Sequence, residues 1–473
     1  MKILYAASEA VPFAKTGGLA DVAGSLPKAL VEEGVDCRVV LPLYESIQGP
    51  LRQNLRFLCH FQVPVAWRSK YCGVFESKVG NVTYYLLDNE YYFKRQDCYG
   101  HYDDAERFAF FARAVLEMLP RIGFQPNIIH SNDWQTALTP VFLAAYYRSN
   151  PFFSGIKSVF TVHNVEYQGK YGYEIYNDVI GLPHYFFHVM DYDDCVNFMK
   201  GAVVCADEVT TVSPSYSYEL RYPYFSFGLD RIFNMYGYKM RGILNGISNE
   251  DYDPATDKCL FANYTAEDPD KKAENKQGLQ KMLDLPQDPD AMVVGYVGRL
   301  VQAKGIELLR YVLEELLQHT VQLVVLGTGD WKYENFFSEM QWRYPGKLCA
   351  RITFSNDLAH KIYAGADTLL MPSRSEPCGL SQLIALRYGT IPIVHQIGGL
   401  GDSISDCGDG MGNGFTFKQF NAHDMIGAIS RAEGCFVHKE NWKALIQRAM
   451  ACDFSWRHSV QSYKALYENV LRR

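Results

Sequence analysis

The clearest chemical signal in this sequence is the segment Lys15-Thr-Gly-Gly-Leu-Ala-Asp21. It follows a strand-like run, Lys2–Ala7, and enters a helical pattern that continues to Gly34. A strand that leads through glycines into a helix start presents backbone N–H groups to an anion. Lys15 adds a positive charge beside these groups, and Asp21 adds a carboxylate one turn further on. The segment therefore predicts contact with a phosphorylated ligand.

This segment does not have the spacing of a standard nucleotide motif. The Walker pattern requires Gly-x4-Gly-Lys-Ser/Thr, and the dinucleotide fingerprint requires Gly-x-Gly-x-x-Gly after the strand. Because that fingerprint is missing, a dinucleotide-dependent oxidoreductase is disfavoured. The remaining alternative is a surface loop with an incidental lysine, and the other segments of the chain weigh against it.

Two cations lie in a second segment, Gly298–Gly305, which follows a predicted strand at Met292–Val297. Arg299 and Lys304 flank the start of a helix, whose dipole adds positive potential there. Such a pair suits a diphosphate whose negative charge grows as it leaves. The alternative is two exposed basic residues at a helix start, without a ligand.

A carboxylate, Glu376, lies in a third segment, Pro372–Leu380, after another predicted strand. Pro377 stiffens the backbone, and Gly379 allows a ligand to approach the next helix start. The carboxylate can accept sugar hydroxyls or balance a positively charged transition state. The alternative role for Glu376 is to cap the following helix.

Weaker signals lie at other strand ends. His163 can hydrogen-bond a hydroxyl or steady charge near a reacting carbon, although a lone histidine is more often structural. Asp133 and Trp134 can hold and stack on a sugar. A second Gly-Gly-Leu turn, Gln396–Asp402, can touch phosphate through its backbone amides.

Composition limits the class of protein. The net charge of -7 and the pI of about 6.0 argue against a nucleic-acid or polybasic membrane partner. We find no apolar run near the roughly 18 residues that a spanning helix needs, and no signal-peptide pattern. Twelve cysteines occur without a Cys-x-x-Cys pair, which is typical of reduced thiols in a cytoplasmic protein.

Short apolar runs alternate with helical patterns, which predicts an α/β fold with parallel, doubly wound sheets. The predicted strands are Lys2–Ala7, Cys37–Leu41, Asn127–His130, Ser158–His163, Glu208–Val212, Met292–Val297, Gln322–Leu326, Ala350–Phe354, Thr368–Met371 and Ile391–Val394. Helix-breaking residues predict a hinge at residues 245–256. It separates a first domain, residues 1–244, from a second domain, residues 257–455. A ligand cleft is expected between them, at the carboxyl ends of their strands.

Together these segments resemble bacterial glycogen synthase and plant starch synthase over nearly the whole chain. The residues that carry the resemblance are Lys2–Asp21, Asp133-Trp134, His163-Asn164, Leu244–Gly246, Lys272–Lys276, Gly298–Gly305 and Glu376–Gln382. The resemblance implies the GT-B fold, two Rossmann-like domains facing across a cleft, with a last helix (456–473) that returns to the first domain. It implies a retaining glucosyltransferase that needs neither metal nor cofactor and elongates α-1,4-glucan or glycogen.

The resemblance also implies roles for individual residues. Glu376 would lie beside the transferred glucose, His163 near the reacting carbon, and Arg299 and Lys304 on the leaving diphosphate. The remaining substrate-binding positions are Lys15, Gly17, Gly18, Asp21, Asp133, Asn245, Phe354, Cys378, Gly379 and Leu380. Phe354 would stack on the base of the nucleotide.

Three positions depart from the family pattern: Ala303, Ser248 and Gly401. None of them removes a proposed catalytic group. The expected activity is glucose transfer from ADP-glucose to the non-reducing end of an α-1,4-glucan, with UDP-glucose as the alternative donor. A front-face mechanism is favoured through the resemblance, because no carboxylate nucleophile stands out. A catalytically silent glucan-binding protein on the same fold is the second hypothesis.

Overall fold

The structure is a computed structural model that describes residues 1–473 apart from the side chain of residue 409. Contacts between Cα atoms divide the chain into two compact units. The first unit comprises Met1–Asn245 and Trp456–Arg473, and the second comprises Gly246–Ser455. The hinge expected at residues 245–256 stays a prediction.

The first unit is built on a twisted, mostly parallel sheet. Its strands are β1 (Lys2–Ala6), β2 (Asp36–Pro42), β3 (Arg56–Val65), β4 (Arg68–Val79), β5 (Val82–Asp88), β6 (Ile128–Asn132), β7 (Lys157–Val162), β8 (Lys170–Tyr171), β9 (Asp191–Tyr192), β10 (Cys195–Asn197), β11 (Glu208–Thr211) and β12 (Met240–Gly242). Nine of them pair in the order β12-β11-β7-β6-β1-β2-β5-β4-β3. The pairs β3-β4 and β4-β5 are antiparallel. A separate antiparallel sheet has the order β8-β10-β9.

Most helices of the first unit contain residues buried in its core. They are α1 (Gly18–Glu32), α2 (Pro50–Gln53), α3 (Glu90–Phe93), α4 (Asp104–Arg121), α5 (Leu138–Phe142), α6 (Phe187–Met190), α7 (Phe198–Cys205), α8 (Pro214–Glu219), α9 (Pro223–Ser226) and α10 (Asp230–Met235). In α1, Leu19, Val22, Leu26 and Leu30 are buried at the three- and four-residue spacing of one helix face. Packing of this buried face holds α1 in place, and α1 begins within the Lys15–Asp21 segment.

The second unit is a six-stranded, fully parallel sheet. Its strands are β13 (Met292–Val297), β14 (Val321–Leu326), β15 (Leu348–Arg351), β16 (Thr368–Met371), β17 (Ile391–His395) and β18 (Phe415–Phe417). They pair in the order β15-β14-β13-β16-β17-β18, which is the doubly wound Rossmann order. All six residues of β14 are buried, as expected for a strand covered on both faces.

Helices α11 to α18 belong to the second unit, and α19 belongs to the first. Their bounds are α11 (Lys272–Met282), α12 (Ile306–Leu316), α13 (Trp331–Arg343), α14 (Asn356–Gly365), α15 (Ser381–Arg387), α16 (Gly398–Ser403), α17 (Ala422–Phe436), α18 (Lys439–Met450) and α19 (Trp456–Arg472). The hydroxyl of Tyr467 in α19 lies 2.7 Å from Nδ1 of His130 in β6. The Lys464 ammonium donates to Glu33 at 2.9 Å. These contacts attach the last helix to the first unit.

The structure confirms the predicted α/β class and the strands at Met292–Val297 and Thr368–Met371. The strand predicted at Ala350–Phe354 is wrong at its end, because β15 stops at Arg351. The Ser355 side chain accepts a hydrogen bond from the Leu358 N–H and caps α14, so Phe354 lies in a loop. Among the residues described, no helix combines the length and the apolar character needed to cross a membrane.

Candidate active site

Both sheets place chemically active residues where their strand order reverses. In doubly wound sheets, ligands bind beyond the carboxyl ends of the strands at this point. In the first unit, β1 lies between β2 and β6, so the reversal is flanked by the loops after β1 and β6. In the second unit, it is flanked by the loops after β13 and β16. These four loops contain most of the predicted site residues.

The loop after β1 carries Lys15, Gly17 and Gly18, and all three residues are exposed. Gly17 is the N-cap residue of α1, as the strand-glycine-helix pattern predicts. The Lys15 ammonium donates to Oδ1 of Asp21 at 2.7 Å. Asp21 lies in the first turn of α1, where a carboxylate interacts favourably with the helix dipole. The structure therefore brings Lys15, both glycines and Asp21 together at one helix start.

Glu9, which the sequence analysis missed, lies behind this loop. It is buried, and its Oε2 accepts the N–H and the hydroxyl of Thr16 at 2.5 and 2.6 Å. Burial raises the pKa of the Glu9 carboxyl, against the effect of hydrogen bonds from Thr16 and Gly17. Its place three residues beyond β1 is the signal that could have found it, because polar residues at such strand ends meet at one edge of the sheet.

Asp133 holds the backbone of a neighbouring loop. It follows β6 with a left-handed φ of 55°, and its Oδ1 accepts the N–H groups of His163 and Asn164 at 2.7 and 3.3 Å. Loss of water around the carboxyl raises its pKa to about 7, and the two N–H groups oppose this shift. Asp133 therefore fixes the His163 loop, a role beyond the predicted contact with sugar.

His163 is half-buried just after β7. Its Nε2 lies 2.9 Å from Oδ1 of Asn132, which also accepts the Tyr5 hydroxyl at 2.9 Å. Because that oxygen is an acceptor, Nε2 carries the proton, which leaves Nδ1 as the unprotonated nitrogen. Burial lowers the pKa of His163 to about 3. The imidazole is thus neutral near pH 7 and acts as a hydrogen-bonding group without charge.

Two further features of the first unit can take a ligand. Asn245 is buried, and its Oδ1 has no hydrogen-bond partner among the residues described. A cavity of about 550 Å³ lies beside the His163 loop. Its walls include the aromatic residues Trp134, Tyr167, Tyr171 and Phe227, with Glu166 and Lys170. Aromatic faces with polar groups at the edges suit a sugar ring.

In the second unit, Lys304 and Glu376 form an ion pair. The Lys304 Nζ lies 2.6 Å from Oε2 of Glu376, which also accepts the Ser373 hydroxyl at 2.9 Å. The two loops approach closely because Gly305 has φ 74°, and a Cβ there would lie 1.8 Å from the Pro372 carbonyl oxygen. The sequence predicted both charged residues, and the structure places them in direct contact.

Ala303, a departure from the family pattern, contributes through its backbone. Its carbonyl accepts the Arg374 N–H at 2.9 Å, which ties the loop after β13 to the loop after β16. This bond does not depend on the side chain at position 303. The substitution therefore leaves the Lys304–Glu376 geometry intact.

Arg299 and Phe354 present exposed side chains on the second unit. The buried Tyr296 donates its hydroxyl to the Arg299 carbonyl at 2.8 Å and fixes the backbone from which the guanidinium extends. Phe354 is 77% exposed, so one ring face can accept a planar partner. Sequence reasoning missed Tyr296 because it reads as a core residue of β13.

The turn Cys378-Gly379-Leu380 is held by Gln382, whose Nε2 donates to the Cys378 and Gly379 carbonyls at 3.0 and 3.1 Å. The second Gly-Gly-Leu segment lies against this turn. The Gly399 N–H donates to the Glu376 carbonyl at 3.1 Å, and a Cβ at Gly399 would lie 2.1 Å from the Cys378 carbonyl oxygen. The contacts of Gly399 thus support the Glu376 loop.

Among the described residues, Asp257, Cys259 and His360 are close enough together to be considered as metal ligands. However, Oδ2 of Asp257 lies 2.6 Å from Nδ1 of His360 and 2.6 Å from the Tyr388 hydroxyl. These hydrogen bonds account for the cluster. A metal would have to displace them.

Two family profiles match the chain. The one described as starch synthase catalytic domain covers residues 2–235, and the one described as glycosyl transferases group 1 covers residues 281–446. The glycogen synthase of Desulforamulus reducens is 49% identical over 475 residues, which is 100% of this chain and 99% of the relative. That of Geobacillus stearothermophilus is 47% identical over 477 residues, with 100% and 98% covered.

Solved structures agree with these matches. The catalytic domain of starch synthase IV from Arabidopsis thaliana, bound to ADP and acarbose, has a TM-score of 0.92 at 33% identity, with 100% of this chain and 99% of that chain covered. A sucrose-phosphate synthase from Thermosynechococcus elongatus shares the fold, with a TM-score of 0.64 at 16% identity and the same coverage. The chain therefore belongs to the glycogen synthase family and has the two-domain GT-B architecture of its glycosyltransferases.

Proposed function

We propose that this protein transfers glucose from ADP-glucose to the 4-hydroxyl at the non-reducing end of an α-1,4-glucan, with retention of configuration. The proposal rests on the full-length similarity to glycogen synthases, supported by the ion pair between Lys304 and Glu376. ADP as the nucleotide is supported by the Arabidopsis starch synthase, which was solved with ADP bound. UDP-glucose remains the alternative donor.

In the second unit, we assign the donor diphosphate to Arg299 and Lys304. Both cations lie on the loop after β13, and charge-assisted hydrogen bonds from them would strengthen as negative charge grows on the leaving group. Cys378, Gly379 and Leu380 would add backbone contacts near the transferred glucose. Phe354, with its exposed ring, would stack on the base.

Glu376 suits an electrostatic role better than a nucleophilic one. Its Oε2 is already bound to the Lys304 ammonium and the Ser373 hydroxyl, which lowers its reactivity toward carbon. Its negative charge would balance an oxocarbenium-like transition state. This is consistent with a front-face reaction, in which a leaving phosphate oxygen takes the proton of the acceptor hydroxyl and retention needs no enzyme nucleophile.

In the first unit, Lys15, Gly17, Gly18 and Asp21 would contact the sugar nucleotide. His163 would donate or accept a hydrogen bond as a neutral imidazole near the reacting carbon, and Asp133 would hold its loop. The buried, unpaired Oδ1 of Asn245 offers an acceptor for a substrate hydroxyl or amide. The 550 Å³ cavity near Trp134 would hold glucose units of the glucan.

The test is to incubate the purified protein with glycogen and either ADP-glucose or UDP-glucose, without added metal, and to follow release of nucleoside diphosphate. Digestion of the extended chains by an α-1,4-specific glucosidase reports the configuration of the new linkage. Faster release from ADP-glucose with a digestible product supports the proposal. Glycogen binding without turnover of either donor would instead support the silent binding protein.

The twelve free thiols favour a reducing compartment such as the cytoplasm.

A further inference from the structure

Glu9 makes its hydrogen bonds to a single segment of the chain. Its Oε2 accepts the Thr16 N–H at 2.5 Å and the Thr16 hydroxyl at 2.6 Å, and the carboxylate also accepts the Gly17 N–H. The three donors belong to two consecutive residues of the Lys15–Gly18 loop. The loop itself is exposed, whereas Glu9 is 3% exposed. The carboxylate is therefore an internal anchor for an external loop.

This anchor divides the backbone donors of the loop into two groups. The Thr16 and Gly17 N–H groups point toward Glu9, so an outside anion cannot use them without displacing it. Glu9 uses neither the Gly18 N–H nor the Lys15 ammonium, whose partner is Asp21 at 2.7 Å, so a ligand can engage both groups without displacing Glu9. Successive backbone N–H groups that line a concave turn bind anions, and here one of the bound anions is the Glu9 carboxylate of the protein itself.

The position of Glu9 is unfavourable for stability alone. A buried carboxylate is costly even when it accepts several hydrogen bonds, and the acidic Asp21 and Asp133 lie near enough to disfavour its charge further. A neutral side chain would avoid both penalties. Stability alone therefore does not account for a carboxylate at this position, whereas a role in setting the loop geometry does.

We propose that Glu9 is a positioning residue for the nucleotide-sugar site: its carboxylate sets the Thr16–Gly17 backbone so that Lys15 and the Gly18 amide meet the donor. The inference rests on the proposed function of the Lys15 loop. Glu9 itself does not touch substrate in this account. Its effect should therefore appear in donor binding and depend on Lys15.

The experiment compares Glu9→Gln, Glu9→Asp and Lys15→Ala with a matched control, Glu76→Gln. Glu76 lies on β4 of the same unit and pairs with the exposed Arg56. A Gln at position 9 keeps the shape of the side chain but replaces one carboxylate oxygen with an amide NH2. That NH2 is a donor and cannot accept a hydrogen bond from the loop. Because charged hydrogen bonds are lost, the donor KM of Glu9→Gln should rise about tenfold or more. Glu9→Asp keeps the charge and should fall between Glu9→Gln and wild type.

Three readouts separate positioning from a merely structural role. The glycogen KM of Glu9→Gln and every constant of Glu76→Gln should stay within about twofold of wild type, a change of less than 0.5 kcal/mol. The double variant Glu9→Gln/Lys15→Ala should raise the donor KM by less than the product of the two single effects, because part of the Glu9 effect acts through Lys15. Unfolding midpoints identify any loss of folded protein, which lowers kcat but not donor affinity.

The outcomes that overturn the inference are distinct from failure of the proposed function. A normal donor KM in Glu9→Gln, together with a raised donor KM in Lys15→Ala, rejects the role of Glu9 and keeps the loop assignment. A normal donor KM in Lys15→Ala rejects the loop assignment and the inference with it. Strictly additive effects in the double variant reject action through Lys15.

Discussion

Replacing Lys304 should damage both stability and turnover, whereas replacing Arg299 should damage turnover alone. The Glu376 side chain is 7% exposed and that of Lys304 is 26% exposed. Loss of the ammonium leaves the buried carboxylate with the Ser373 hydroxyl as its remaining described side-chain partner. Breaking a fully buried pair costs about 3–5 kcal/mol, and access of water from the Lys304 side reduces this to about 2 kcal/mol.

This energy predicts a measurable shift. For a unit of this size, about 2 kcal/mol corresponds to a decrease of roughly 4–8 °C in the unfolding midpoint of Lys304→Ala. Arg299 has an exposed side chain, so the midpoint of Arg299→Ala should stay within about 2 °C of wild type. Both variants should lose at least roughly 10²-fold in turnover, because each removes a donor from developing negative charge.

The assay measures nucleoside diphosphate release at saturating ADP-glucose and glycogen, and thermal unfolding of the same preparations by circular dichroism. Arg299→Ala is the matched control, since it removes one cation from the same loop. Wild-type turnover in Lys304→Ala would refute its role in catalysis. An equal loss of stability in both variants would refute the reasoning from burial.

Three further predictions concern buried charges and a close backbone approach. Burial raises the pKa of Asp133 from 3.8 to about 7, so the folded state holds the proton more tightly and stability should fall as pH rises from about 4 to 7. Unfolding midpoints of Asp133→Asn should lose this slope; parallel curves would contradict it. Burial lowers the pKa of Lys272 from 10.5 to about 7, so stability should rise between about pH 7 and 10, and Lys272→Met should flatten that rise in the same measurement. Gly305→Ala should lower the free energy of unfolding by at least about 2 kcal/mol. A Cβ added at Gly18 meets no neighbouring group within 4 Å, so Gly18→Ala should change the free energy of unfolding by less than about 0.5 kcal/mol. Gly18→Ala should nevertheless raise the donor KM. Equal chemical denaturation midpoints for the two glycine variants would disprove this contrast.

Much of the fold could be predicted because its signals are local. The central strands are continuous apolar runs, and β13 was predicted at its observed bounds, Met292–Val297. The segments rich in glycine and charged residues can also be recognised, because each follows a predicted strand. For this reason Lys15, Arg299, Lys304 and Glu376 could all be named from the sequence.

Other features depend on contacts that no local pattern reveals. Strands β3, β4 and β5 were not predicted: β3 begins without alternation and β4 mixes exposed, half-buried and buried positions, whereas β5 is a mostly buried run that the sequence analysis missed. Glu9 meets Thr16 only because the chain turns back after β1. The contact between Lys304 and Glu376 spans 72 residues and requires the doubly wound strand order. The contacts of Glu9 and of Lys304 follow from topology and could not be predicted from residue spacing.

The return of α19 to the first unit has a consequence for biosynthesis. The first unit is completed by Trp456–Arg473, although its other residues end at Asn245. During translation, the contact between His130 and Tyr467 therefore cannot form until the whole second unit has left the ribosome. The second unit is contiguous and can mature as soon as it emerges. Premature termination before Trp456 would thus impair the part of the protein that was made first.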